Sequence, residues 1–134
     1  MTPNASNACL FGIALCLLAG VSSAHAAATE ENFRARTTGD LLALCSVDQR
    51  DPLATPAIHF CHGFAAGAYQ VLREIQAAQP SSRLFCVPNP PPSRNEAIAA
   101  FVQWLRANPD QMSLPAADGV AHFLARQFPC AATR

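Results

Sequence analysis

Apolar residues recur at helical spacing along most of the chain. The longest such segment follows Thr55 and Pro56, residue types that suit a helix N-cap and first turn, and it stops at Pro80. Its apolar positions alternate three and four apart, which predicts one long amphipathic helix. These positions are Ile58, Cys61, Ala65, Ala68, Leu72 and Ile75, and the stripe is widened by Phe64 and Val71.

Two shorter helices are predicted from their start signals. Thr37 with Asp40, and Ser93 with Glu96, match the capping box, in which side chains three residues apart satisfy the first N–H groups of a helix. A fourth helix is predicted from spacing alone and stops before Pro129. The expected buried residues of these three helices are Leu41, Leu42 and Leu44, then Ile98, Phe101, Val102 and Leu105, then Ala117, Val120, Ala121, Leu124 and Phe128.

The connecting segments contain helix-breaking residues. Ser46 to Ala54 and Asp110 to Leu114 are predicted to be loops, and Asn108 with Pro109 ends the third helix. Residues 80–92 hold five of the eleven prolines, which favours an extended connection. No segment shows a convincing alternation of polar and apolar residues, so the predicted fold is all-α, a compact four-helix bundle.

The N-terminal residues of the chain predict that the protein is exported. An apolar run from Cys9 to Gly20 precedes Ala24, His25 and Ala26, the A-x-A pattern of a signal peptidase site. We therefore expect a signal peptide over residues 1–26 and one domain over residues 27–134, located in the periplasm. The run is shorter than a membrane-spanning helix requires, so we expect no membrane attachment after cleavage.

Cleavage would leave four cysteines in an oxidising compartment, which predicts two disulfides with three pairings open. The helical layout favours one pairing. An antiparallel helix hairpin would bring Cys45 to Cys61, and Cys86 follows the second helix while Cys130 closes the fourth. We therefore expect the bonds Cys45–Cys61 and Cys86–Cys130 to hold the bundle together.

The charge and the composition of the chain argue against several classes of function. Nine arginines balance nine acids and lysine is absent, so no basic surface is available for nucleic acid. Cys61 with His59 or His62 would suggest a thiol nucleophile, but a structural disulfide explains this cysteine better. The two histidines lack a third metal ligand at recognisable spacing. We expect no catalytic residue, no metal and no cofactor.

Gly63 and Gly67 form a G-x-x-x-G pattern inside the long helix. Each glycine costs a helix roughly 1 kcal/mol relative to alanine, so a compensating close contact is expected. We expect tight helix packing at both glycines, with a neighbour in the same chain favoured over a second copy.

Several motifs together resemble the Rap/Tai family of immunity proteins of bacterial type VI secretion. The most specific are Cys61, Gly63, Phe64 and Gly67, and the segment Cys86 to Pro88. Phe64 stands where the family more often has tyrosine. The turn after the third helix has only Asp110 where the family usually keeps several charges. The resemblance implies a periplasmic helical protein, often a homodimer, that binds a papain-like peptidoglycan amidase and blocks its active-site cleft.

The leading hypothesis is therefore an amidase immunity protein. The alternative is an orphan periplasmic binding or chaperone protein of the same fold, and an enzyme using Cys61 or the histidines comes third. Partner contacts are expected from exposed parts of Val87 to Pro92 and from the turn after the third helix, with Met112 as anchor unless it packs on the core. The turn residues are Pro109, Asp110, Gln111, Met112 and Ser113.

Overall fold

The protein is described by a computed structural model over residues 27–131. Its four α-helices are α1 (Thr38–Cys45), α2 (Ala54–Ala78), α3 (Arg94–Ala107) and α4 (Ala116–Gln127). Two 3₁₀ turns accompany them, Glu30–Arg34 before α1 and Pro109–Ser113 between α3 and α4. The predicted all-α fold is confirmed, since the described residues form no strand and only one isolated bridge, between Thr37 and Pro115. None of the helices within these residues is both long and apolar enough to cross a membrane.

Local capping chemistry explains where α1 and α3 begin. Both predicted capping boxes are confirmed: Thr37 Oγ1 accepts from the Asp40 N–H, and Ser93 Oγ accepts from the Glu96 N–H. The prediction that Thr55 caps α2 is wrong. The N-cap is Leu53 and the helix begins at Ala54, two residues before Pro56, because the Asp51 carboxylate accepts the Leu53 N–H at 2.8 Å and sets up the first turn from outside it.

Both disulfides form as predicted. Cys45–Cys61 joins the end of α1 to the first half of α2, with the two Cα atoms 5.2 Å apart. Cys86–Cys130 joins the proline-rich connection to the chain beyond α4, with a Cα separation of 4.9 Å. The first bond therefore holds the end of α1 against α2, and the second holds the proline-rich connection against the segment after α4.

The core lies where α1, α3 and α4 meet the first half of α2. The predicted buried face of α3 is confirmed throughout, and α4 buries Phe123, which the spacing did not single out. The predicted stripe of α2 is only partly buried, because Val71 is 60% and Ile75 53% exposed. At 25 residues, α2 extends beyond the 8-residue α1 and the 12-residue α4 that cover it.

Among the glycines of the described residues, Gly119 of α4 lies closest to a neighbouring helix. A Cβ atom added there would lie 2.9 Å from Thr38 Cβ and closer still to the other Thr38 side-chain atoms. The expectation of tight packing within the chain at Gly63 and Gly67 is wrong, since an added Cβ at either position would meet nothing within 4 Å among residues 27–131. Both glycines face solvent on the outer side of α2.

Candidate partner-binding site

The predicted contact turn is a 3₁₀ turn, Pro109–Ser113, fixed to the start of α1. Thr38, which is fully buried, donates its N–H to the Leu114 carbonyl at 2.8 Å. Its hydroxyl lies 3.2 Å from the same carbonyl oxygen and 3.3 Å from that of Pro115. These bonds fasten the residues that follow the turn to a rigid helix terminus, so the turn is a well-held part of the surface.

The five turn residues differ in exposure. Pro109, Asp110 and Ser113 are exposed, whereas Gln111 and Met112 are half-buried. Met112 lies beside the first turn of α1, where a Cβ added to Gly39 would come within 3.3 Å of its carbonyl oxygen and 3.6 Å of its Cβ. Met112 is therefore neither a free anchor nor a core residue, and part of its side chain stays available to a partner.

A short polar chain crosses from the turn to α4. Gln111 Nε2 donates to Asp110 Oδ2 at 2.6 Å, and Gln111 Oε1 lies 3.0 Å from His122 Nδ1. His122 also belongs to this surface. No sequence pattern indicated it, because only the fold brings it next to Gln111, eleven positions earlier in the chain. These hydrogen bonds orient the Asp110 carboxylate. Together with the partly exposed Met112, they give the turn both hydrogen-bonding and apolar character.

The disulfide Cys86–Cys130 does not restrain this turn. The turn precedes α4, whereas Cys130 follows it, and a 12-residue helix rises about 18 Å between its ends. The turn is held instead by Thr38 at the start of α1.

The residues considered for catalysis are not arranged for it. Cys61 is fully buried and bonded to Cys45, so it supplies no thiolate. His59 is exposed and His62 is half-buried on the same helix. Within the described part of the chain, no three His, Cys, Asp or Glu side chains form a group that could hold a metal ion.

The second predicted contact segment, Val87 to Pro92, forms one wall of a cleft. Val87, Pro91 and Pro92 line it together with residues of α2, α3 and α4, and its volume is about 420 Å³. Gln76 anchors the chain just before this wall, because its side-chain oxygen accepts the N–H groups of Leu84 and Phe85 and its side-chain nitrogen donates to the Phe85 carbonyl. No sequence pattern indicated this cleft, which forms only where these four parts of the chain meet.

The small helical domain has two disulfides and an ordered polar turn, features that suit a surface that binds another protein. The family model of the Rap1a immunity proteins matches residues 37–130, and the chain belongs to this family. No curated protein and no solved structure gives a match. Family membership implies an immunity protein that binds a secreted effector, and it favours a role as a non-enzymatic inhibitor.

Proposed function

We propose that the protein is a periplasmic immunity protein that binds a papain-like peptidoglycan amidase of type VI secretion and occludes its active-site cleft. Membership of the Rap1a immunity proteins supports the immunity role. The amidase and the periplasmic location rest on the sequence resemblance and on the signal peptide expected over residues 1–26, which lie outside the described residues.

The observation that carries the site is the fastening of the 109–113 turn to Thr38. A surface that is already ordered loses little conformational entropy on binding, so more of its contact energy appears as affinity. The exposed Asp110 and the partly exposed Met112 combine a polar group with an adaptable apolar one, as in the core and rim of protein interfaces. Occlusion needs no chemistry from the immunity protein, only a shape that excludes substrate.

The test is protection of cells that express the cognate amidase in the periplasm. Wild-type protein is expected to protect, and Met112→Asp to lose protection with little change in melting temperature. Because Met112 is half-buried, the fully exposed Asp110→Arg serves as a second variant of the same site. Gln103→Asp, on the exposed face of α3, is the matched control and should protect like wild type.

The outcomes separate the function from the site. A version without residues 1–26 should stay in the cytoplasm and fail to protect, so protection by it would refute the periplasmic role. Failure of wild type against every amidase encoded beside the gene would refute the amidase assignment and favour the orphan binding protein. Full protection by both turn variants would refute only the site.

A second copy of the chain is the partner that we infer for the outer face of α2. Gly63, Gly67, Val71 and Ile75 recur every four residues and therefore share one face of the helix, which is open to solvent. Small residues allow close approach, and the two exposed apolar side chains supply area to bury. Gly67→Leu should weaken a dimer in sedimentation analysis without destabilising the monomer, whereas a monomeric wild type would refute this inference.

A further inference from the structure

The cleft between α2, α3, α4 and the Val87 to Pro92 wall has the character of a ligand site. Its floor contains Phe101, Val120 and Phe123, each no more than 4% exposed, so the cleft reaches down to the core. Small-molecule sites are usually concave and mainly apolar with a few polar groups, and a volume of about 420 Å³ falls in their range.

The charges that line the cleft are all positive. Arg73 of α2 and Arg94 of α3 are its only charged lining residues. The Arg94 guanidinium makes no hydrogen bond or ion pair within residues 27–131, and Arg94 stands in the first turn of α3, where the helix dipole favours an anion. Arg73 lies 3.8 Å from the exposed Glu74, a weak pair that an incoming anion could replace.

The nearest acid on α3, Glu96, carries its negative charge outside the lining of the cleft. Glu96 accepts a hydrogen bond from the Ser93 N–H at 2.7 Å, and its bonds to Ser93 lower the pKa of its carboxyl group. It is thus occupied in capping α3 and does not line the cleft. An apolar slot with two arginines at its rim is complementary to a molecule with an apolar body and one anionic end.

We propose that the cleft binds a free amphipathic carboxylate, with an unbranched acyl chain in the apolar slot and the carboxylate between Arg73 and Arg94. A chain-like ligand can fill the slot along its length. A single anchoring side chain of a partner protein would leave much of it empty, and empty apolar space forfeits contact energy. This binding would be a second activity, separate from inhibition of an effector.

Isothermal titration of the mature protein with dodecanoate, below its micelle concentration, tests the proposal. One site is expected, and affinity should fall about fourfold for each methylene removed in shorter chains, as apolar burial requires. Dodecyltrimethylammonium has the same chain length and the opposite charge, and it should bind at least about tenfold more weakly. Equal binding of the two amphiphiles, or no binding of dodecanoate, would overturn the proposal.

Matched variants locate the site. Arg73→Gln combined with Arg94→Gln should weaken dodecanoate about tenfold, whereas Arg106→Gln, which is exposed outside the cleft, should not. Ala97→Phe should fill the slot and abolish binding, and Ala99→Phe on the exposed side of the same helix should leave it intact. Unchanged binding by Ala97→Phe, with the helical spectrum of wild type, would show that the amphiphile binds elsewhere and would refute the assignment.

Discussion

The junction of α1 with α4 and the outer face of α2 are built on opposite principles. At the junction, buried Thr38 fits against Gly119 without room for one more carbon atom, and its polar atoms are hydrogen-bonded. Along the outer face of α2, Gly63 and Gly67 have open space around them and Val71 is mostly exposed.

The comparison shows that small and apolar residues serve two different purposes in this protein. At the junction they fix one arrangement of helices and hold the 109–113 turn, so changes there should alter stability first. On α2 they leave surface unpartnered, so changes there should alter association and binding while the isolated chain remains folded.

Removing the disulfides should cost the most. The bonds close loops with sequence separations of 44 and 16 residues, which the chain-entropy model values at about 4 and about 3 kcal/mol. Replacing Cys86 and Cys130 by alanine should therefore destabilise the domain more than replacing Cys45 and Cys61. Urea unfolding midpoints with equal slopes would measure both losses, and an inverted order would contradict the prediction.

Gly119→Ala should cost about 1 to 3 kcal/mol, because the new methyl group overlaps Thr38 and the two helices must separate. The matched substitution Gly63→Ala meets open space and improves helix propensity, so the monomer should gain up to about 1 kcal/mol. Thermal melts of the two variants at low protein concentration compare the regions directly. Similar shifts in the same direction would contradict the contrast.

Much of the fold follows from local sequence signals. Helix starts at Thr37 and Ser93 were predictable because capping is completed within four residues, and the cysteine pairing followed from the order of the helices. The glycine at the tight contact, Gly119, was not predictable because its contact is not local. Gly119 needs its small size because of Thr38, a residue 81 positions away that only the fold brings near, whereas the G-x-x-x-G pattern attracted attention by its spacing alone.

The position of the candidate turn along the chain was predictable, but the contacts that hold it were not. A proline and polar residues after α3 indicated a surface turn, which the structure has. Its fastening to Thr38, its link to His122 and the cleft on the other side of α3 depend on contacts between distant segments. Residue types indicate where a chain is exposed, but long-range packing decides which exposed groups are held in place together.

Gln76→Ala should cost about 1 to 2 kcal/mol, because the Gln76 amide makes three hydrogen bonds to the backbone of Leu84 and Phe85. The effect should concentrate at Leu84 and Phe85, just before the cleft wall. Hydrogen exchange of the Leu84 and Phe85 amides is expected to accelerate, while amides of α1 keep their protection. Gln103→Ala, at an exposed position of α3, provides the control and should change neither.

The smallest effect concerns Asp40, at the start of α1. Partial burial raises the pKa of its carboxyl group, but hydrogen bonds from the Asn32 amide and from the Thr37 N–H and hydroxyl outweigh burial and hold this pKa below its ordinary value. The folded state therefore binds this proton less readily than the unfolded chain. The resulting stability is present above the ordinary pKa and is lost as the pH falls through the folded one.

Asp40→Asn should accordingly destabilise the domain at pH 7 by about 1 kcal/mol or less, the usual value of a capping interaction. The difference from wild type should shrink on acidification, because protonation removes the same charge from the native protein. Urea unfolding at intervals from neutral to strongly acidic pH measures this convergence. Asp118→Asn is the control, since Asp118 is an exposed first-turn carboxylate of α4 with no hydrogen bond among the described residues. A gap between wild type and Asp40→Asn that stayed constant down to the lowest pH would show that the shape of the side chain, and not its charge, stabilises the start of α1.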